Sequence, residues 1–194
     1  MSTTTDLWKR YTMAIDDVGA RLERICTALR EHSVPFALVG GQAVVLWVAT
    51  RDPAAVRTTT DVDILLQRDD LPRARMAALA AGMDYFEVMG VGMFLERDDP
   101  NPRHAVHLVW AGERVRPEYE LPSPRIDEGE ELPGGWSVVS LAGLVRMKLL
   151  SYRDRDRTHL TDMIEVGLIG RDMLAALTPE LARRLETLLR EAGK

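Results

Sequence analysis

The stretch Thr58–Leu66, TTTDVDILL, decides how the chain is read. Its last six residues, DVDILL, have the composition of a β-strand, yet two aspartates stand at its start. Side chains alternate along a strand, so Asp61 and Asp63 fall on one face. Two carboxylates side by side repel each other unless the face is solvated or a cation lies between them.

Upstream, PFALVGG predicts a short buried strand, Phe36–Val39, ending at Gly40-Gly41. QAVVLWVA has the length and residue mix of a buried helix, although its valines also suit a strand. A glycine pair between a strand and a helix lets the backbone turn sharply and approach a ligand closely. The free N–H groups of the helix's first turn then favour an anion such as phosphate. Carboxylates on a neighbouring strand are hard oxygen ligands for Mg²⁺, which bridges to substrate phosphates. Each feature alone has a bland reading, a tight turn or a solvated strand end. Twenty residues apart on adjacent elements, they point to phosphoryl or nucleotidyl transfer.

Outward from this centre, helical spacing of Val18, Leu22, Ile25 and Leu29 predicts an opening helix over 6–32. A helix is expected over 69–81, with Pro72 in its first turn. Strands are expected at 85–89, 92–96 and 104–110. Residues 111–135 hold four prolines, four glycines and seven acidic residues, and read as a long irregular connection. GWSVVS returns to a strand, and Ser140 suits the N-cap of the helix LAGLVRMKLLSYR. Further helices are expected at 158–166, 171–176 and 179–191, the last capped by Thr178 with Pro179 in its first turn. The fold class is therefore α+β (mixed α/β), a mixed sheet flanked by helices. Residues 1–139 form the core, including the opening helix and the 111–135 connection. Residues 140–194 form a helical part packed on it.

Composition narrows the class further. The 194 residues are 46% hydrophobic and 28% charged, without an apolar run of membrane-spanning length. The first residues, MSTTTDLWKRYTMAIDD, lack the order of a signal peptide, so a cytoplasmic location is expected. The single cysteine, Cys26, sits on an apolar helix face and reads as a buried structural thiol. A net charge of −5 argues against nonspecific nucleic-acid binding by the whole surface. It leaves room for a local basic channel, and Arg146, Lys148, Arg153, Arg155 and Arg157 cluster near the C-terminal third.

LVGGQAVVLWV followed by RTTTDVDILL resembles the nucleotidyltransferase superfamily, whose fold is shared with DNA polymerase β. The basic residue and threonines before the acidic pair look like the AbiEii-type branch of abortive-infection toxins. The resemblance implies that Gly40 and Gly41, with Thr60, hold a nucleoside triphosphate, and that Asp61 and Asp63 bind Mg²⁺ or Mn²⁺. It implies phosphate contacts for Lys148 and Arg153 on the segment after the sheet. It also implies a third carboxylate on a later strand, where this chain has His107. Three readings of His107 stand open: a general base replacing the acid, a mark of lost transferase activity, or a residue matched in the wrong register. Glu96 and Glu113 are candidate substitute carboxylates. His159 and Asp162, three apart, suit a pair on one helix face, and Asp156 lies three before His159.

The function expected is metal-dependent transfer of a nucleoside monophosphate to a hydroxyl of RNA, protein or a small molecule. A role in toxin–antitoxin or defence systems, with a partner protein, goes with the AbiEii likeness. The alternative is a catalytically silent nucleotide-binding or interaction module that kept the fold.

Overall fold

The computed structural model describes residues 4–194, so the first three residues of the expected 1–139 core lie outside the description. Seven strands form one mixed sheet: β1 Phe36–Val39, β2 Val62–Leu66, β3 Met83–Val88, β4 Val91–Glu96, β5 Val106–Trp110, β6 Gly129–Leu132 and β7 Trp136–Val139. Their spatial order is β3-β4-β5-β2-β1-β7-β6, with β2–β5 and β1–β7 parallel and the other pairs antiparallel. The helices are α1 Thr4–Glu31, α2 Gly40–Ala49, α3 Leu71–Ala80, α4 Leu141–Ser151, α5 Asp154–Glu165 and α6 Pro179–Glu191. The mixed α/β class is as expected.

The central strands are buried on both faces, which explains why FALV and VDILL read as near-continuous apolar runs. On β2, Val62, Ile64 and Leu66 share one face, and Asp63 and Leu65 share the other. The largest cluster of buried hydrophobics joins sheet and helices from Val18 to Leu189. Cys26 lies inside it, fully buried, and burial pushes its thiol up to about 12. That places it with the structural thiols. α1 packs on α3, while α2, α4 and α5 pack on one another and α6 covers α4 and α5.

Several boundaries differ from expectation. β6 falls inside the connection expected to be irregular, pairing antiparallel with β7 at the sheet edge. Its sequence, GEEL, is charged and hides no alternation, a common way to protect an edge. β5 begins at Val106, because Pro102–His104 form a short 3-10 turn. The segment 171–176 is 3-10 rather than α-helical. Ser140 caps α4 as expected, its Oγ accepting from Gly143 N at 3.2 Å. Thr178 does not cap α6 through its side chain, donating instead to Glu120 Oε1 at 2.6 Å.

α2 is fixed at the sheet by Trp47, whose buried indole Nε1 donates to the Val139 carbonyl at 3.1 Å. Trp47→Phe keeps the ring packing and leaves that acceptor without its donor. A loss of about 1–3 kcal/mol in urea unfolding is expected, with unchanged m-value.

Candidate active site

The register of the central strands builds the site. Asp63 on β2 lies opposite Val39 on β1 and His107 on β5, and His107 lies opposite Met93 on β4. Opposed residues point to the same face, so Val39, Asp63, His107 and Met93 form one row across the sheet. His107 therefore stands beside Asp63 on the neighbouring strand. Its Nδ1 is 3.9 Å from Asp63 Oδ1. Asp61 lies one residue before β2, off the strand expected to contain it.

Gly40 opens α2 with φ +67, a left-handed conformation that favours glycine. A Cβ there would overlap Asp63 Oδ2 and stand 2.8 Å from the carboxyl carbon. A Cβ on Gly41 would meet Thr59 Oγ1 at 2.5 Å. Both glycines are thus required by close approach, and the α2 N-terminus presents bare backbone to the acidic strand. Gln42 Nε2 donates to the Thr59 carbonyl at 3.3 Å, holding the threonine run against this turn.

Gly40, Gly41, Thr59, Asp61, Asp63, His107, Lys148, Arg153, Arg155, Asp156 and His159 line one cleft of about 230 Å³. Every site residue expected from the sequence is among them except Thr60, which faces a different cavity. The threonine in the cleft is Thr59. A larger cavity of about 330 Å³ continues from the cleft, sharing Gly40, Asp63, Lys148, Arg153 and Asp156. Its remaining wall is mostly apolar, with Val109 from the sheet, Leu144 and Met147 from α4, and Tyr119 and Leu121 from the 111–128 strap.

Lys148 and Arg153 are placed by a carboxylate that the sequence showed only as lying three residues before His159. Asp156, nearly fully buried, accepts from Lys148 Nζ at 3.1 Å, Ser151 Oγ at 2.6 Å and Arg153 Nε at 2.9 Å. Burial raises its pKa, but the Ser151 hydroxyl and the Lys148 charge outweigh this and hold it below the usual carboxylate value. Tyr152 between the two helices has φ 46, uncommon for a bulky residue. This left-handed residue ends α4 and lets α5 begin with Arg153 aimed at the cleft. Arg184 stands 4.9 Å over the Tyr152 ring.

Asp61 takes an ion pair from Arg155, a contact between residues 94 apart that no local pattern announces. Arg155 is 68% exposed, so the pair is weak and exchangeable. Burial pushes the Asp63 carboxyl above its ordinary value, opposed by His107 and reinforced by Asp61. Such a carboxylate is stabilised in charged form by added positive charge. The donors in the cleft, two carboxylates beside an imidazole, are of types that ligate divalent cations, a nitrogen suiting Mn²⁺ better than Mg²⁺. Among the described residues no group of three acidic, histidine or cysteine side chains is already drawn into ligand geometry. Asp61 would first have to leave Arg155.

The proposed substitutes for His107 lie elsewhere. Glu96 accepts from Arg21 at 3.1 Å and Arg24 at 2.6 Å, and Glu113 pairs with Arg68 at 2.7 Å on the surface. Nor do His159 and Asp162 pair: Asp162 accepts from Arg57 Nε at 2.8 Å, tying α5 to the connection before β2. His159 Nδ1 is buried without a partner. Burial, helped by Lys148, lowers this histidine to about 4. Unfolded, it titrates near 6.5, so the unfolded chain binds more protons between these values. Its contribution to stability is complete above about pH 6.5 and is lost as pH falls through about 4. Thermal unfolding from pH 7 to 4 is expected to show a steeper loss in wild type than in His159→Leu.

The fold these elements form is that of the nucleotidyltransferases. The crystal structure of an antigenic nucleotidyltransferase-like protein from Paracoccidioides brasiliensis matches with TM-score 0.53 and 19% identity, over 89% of this chain and 88% of that one. The solution structure of the antibiotic-resistance factor ANT(2'')-Ia matches with TM-score 0.50 and 16% identity, over 88% and 90%. At these identities the likeness establishes the fold. No protein-family model matches the sequence, and no curated protein matches it. Among the described residues no helix is long and apolar enough to cross a membrane.

Proposed function

We propose that the protein is a metal-dependent nucleotidyltransferase, moving a nucleoside monophosphate from a triphosphate to an acceptor hydroxyl. The observation that carries this reading is the Gly40 backbone pressed against Asp63, with His107 in register beside it. The Gly40-Gly41 turn and the first N–H groups of α2 receive the phosphates. Arg153, 66% exposed and anchored by Asp156, faces the leaving pyrophosphate, while Lys148 fixes the charge balance of the cleft. The acceptor oxygen bonds to the α-phosphorus, the bond to pyrophosphate breaks, and His107 takes the hydroxyl proton. Asp61 and Asp63 would hold a divalent cation, which would supply positive charge beside the phosphates.

The antibiotic-resistance neighbour supports a small-molecule acceptor, and the AbiEii-type likeness supports a defence or toxin–antitoxin role. The test is transfer from α-labelled triphosphates with Mg²⁺ or Mn²⁺, comparing wild type with Asp63→Ala. Label transfer lost in the variant supports the reading, and equal labelling by both removes it.

A second reading has its own observation. His107 in place of an acid and Arg155 on Asp61 suit a module that binds nucleotide without turnover. It expects saturable nucleotide binding, no transfer by wild type, and transfer gained by His107→Asp. Turnover by the wild-type protein ends it.

A further inference from the structure

A second cavity, of about 510 Å³, opens between α1 and the sheet end where β2 and β5 begin. Thr60, the residue before Asp61, stands in its wall, as does His104, three residues before His107. Three guanidiniums line it: Arg21, Arg24 and Arg103. Arg21 and Arg24 both donate to one oxygen, Glu96 Oε1, so one carboxylate serves two cations. Arg21 is 95% buried by its 5% exposure, and its Nη1 finds no acceptor. The Arg103 side chain has no partner among the described residues. Asp99 is occupied by His104 Nδ1 at 2.8 Å, which leaves Asp17 as the remaining counter-charge in the wall. Three guanidiniums thus face three carboxylates, and Arg21 Nη1 and the Arg103 fork are left without a protein acceptor among the described residues. Guanidinium forks match the oxygens of a phosphate, and a buried one without its partners calls for such a ligand.

We propose that this cavity is an anion subsite that binds a phosphate carried by the acceptor. The inference rests on the nucleotidyltransferase reading for the acceptor's role, and on the guanidiniums alone for the phosphate. From His104 to His107 an extended chain covers about 10 Å. Thr60 in this wall adjoins Asp61 in the cleft, so an acceptor whose phosphate and reacting hydroxyl lie about 10 Å apart can span the two. An acceptor bearing phosphate offers the oxygens that Arg24 and Arg103 can hold.

Inorganic phosphate titrated into the full chain, followed by backbone amide NMR, tests the subsite without any turnover. Saturable shifts at Thr60, Glu96 and His104 are expected, with affinity about tenfold weaker in Arg24→Gln and Arg103→Gln at unchanged melting temperature. Neither side chain is buried as Arg21 is, so both variants keep the core. No saturable shift, equal affinity in the variants, or shifts confined to Gly40 and Lys148 overturns the proposal. Ribose 5-phosphate and a short oligoribonucleotide, titrated in the same way, distinguish the source of the phosphate. If phosphate binds here and α-labelled nucleotide is never transferred, the subsite stands and the enzyme reading falls.

Discussion

Gly40→Ala is expected to reduce nucleotidyl transfer by about 100-fold, because the new methyl group and the Asp63 carboxylate cannot occupy one space. Either the carboxylate leaves its place in the row with His107, or α2 shifts away from the sheet. Both displace the anion-binding turn from the acidic strand. Stability falls as well, by about 1–3 kcal/mol for the left-handed conformation and a similar amount for overpacking. Activity and chemical denaturation of the same preparation separate the two effects. A variant that still folds and transfers nucleotide at the wild-type rate would show that Gly40 does not belong to the site.

Asp156→Ala is expected to destabilise the fold strongly. The Lys148 side chain is 9% exposed and Asp156 1%, so deletion of the acid leaves a buried ammonium without its counter-ion. Breaking a buried pair from one side costs about 3–5 kcal/mol, a fall in melting temperature on the order of 10 °C for a chain of this length. The double change Lys148→Met with Asp156→Leu replaces both charges by apolar side chains. It is expected to recover most of the stability, since an apolar replacement of a buried pair is often neutral. Transfer activity is not expected to return, because Arg153 has lost its anchor. Recovery of both together would confine the Lys148–Asp156 pair to a structural role.

These expectations draw on features that were unequally legible in the sequence. The strand, glycine pair and helix over 36–49 and the acidic strand after them carry local signals, apolar runs broken by residues that tolerate a sharp turn. Their likeness to nucleotidyltransferases pointed to His107, and the parallel pairing of β2 with β5 puts it beside Asp63. Thr59 and Thr60 show a signal that was present and missed. Alternation carried back from Asp63 and Asp61 puts Thr59 on their side and Thr60 on the other, which is how the two cavities divide them. Arg155 on Asp61 and Arg57 on Asp162 span 94 and 105 residues, and such pairings depend on tertiary placement. Asp156 was visible as a helix residue near His159. Its place at the centre of three donors follows from the left-handed turn at Tyr152, which a tyrosine gives no reason to expect. The β6 strand escaped notice because an edge strand built of glycine and glutamates has no apolar face to reveal it.

The most direct measurement is a crystal structure of the protein with a non-hydrolysable nucleoside triphosphate and Mn²⁺, with the ion located by its anomalous signal. The proposed mechanism predicts one Mn²⁺ between Asp61 and Asp63, Arg155 released from Asp61, and phosphate oxygens on the backbone N–H groups of Gly40 and Gly41. Manganese found away from both aspartates, or a triphosphate bound without contact to that turn, would contradict it.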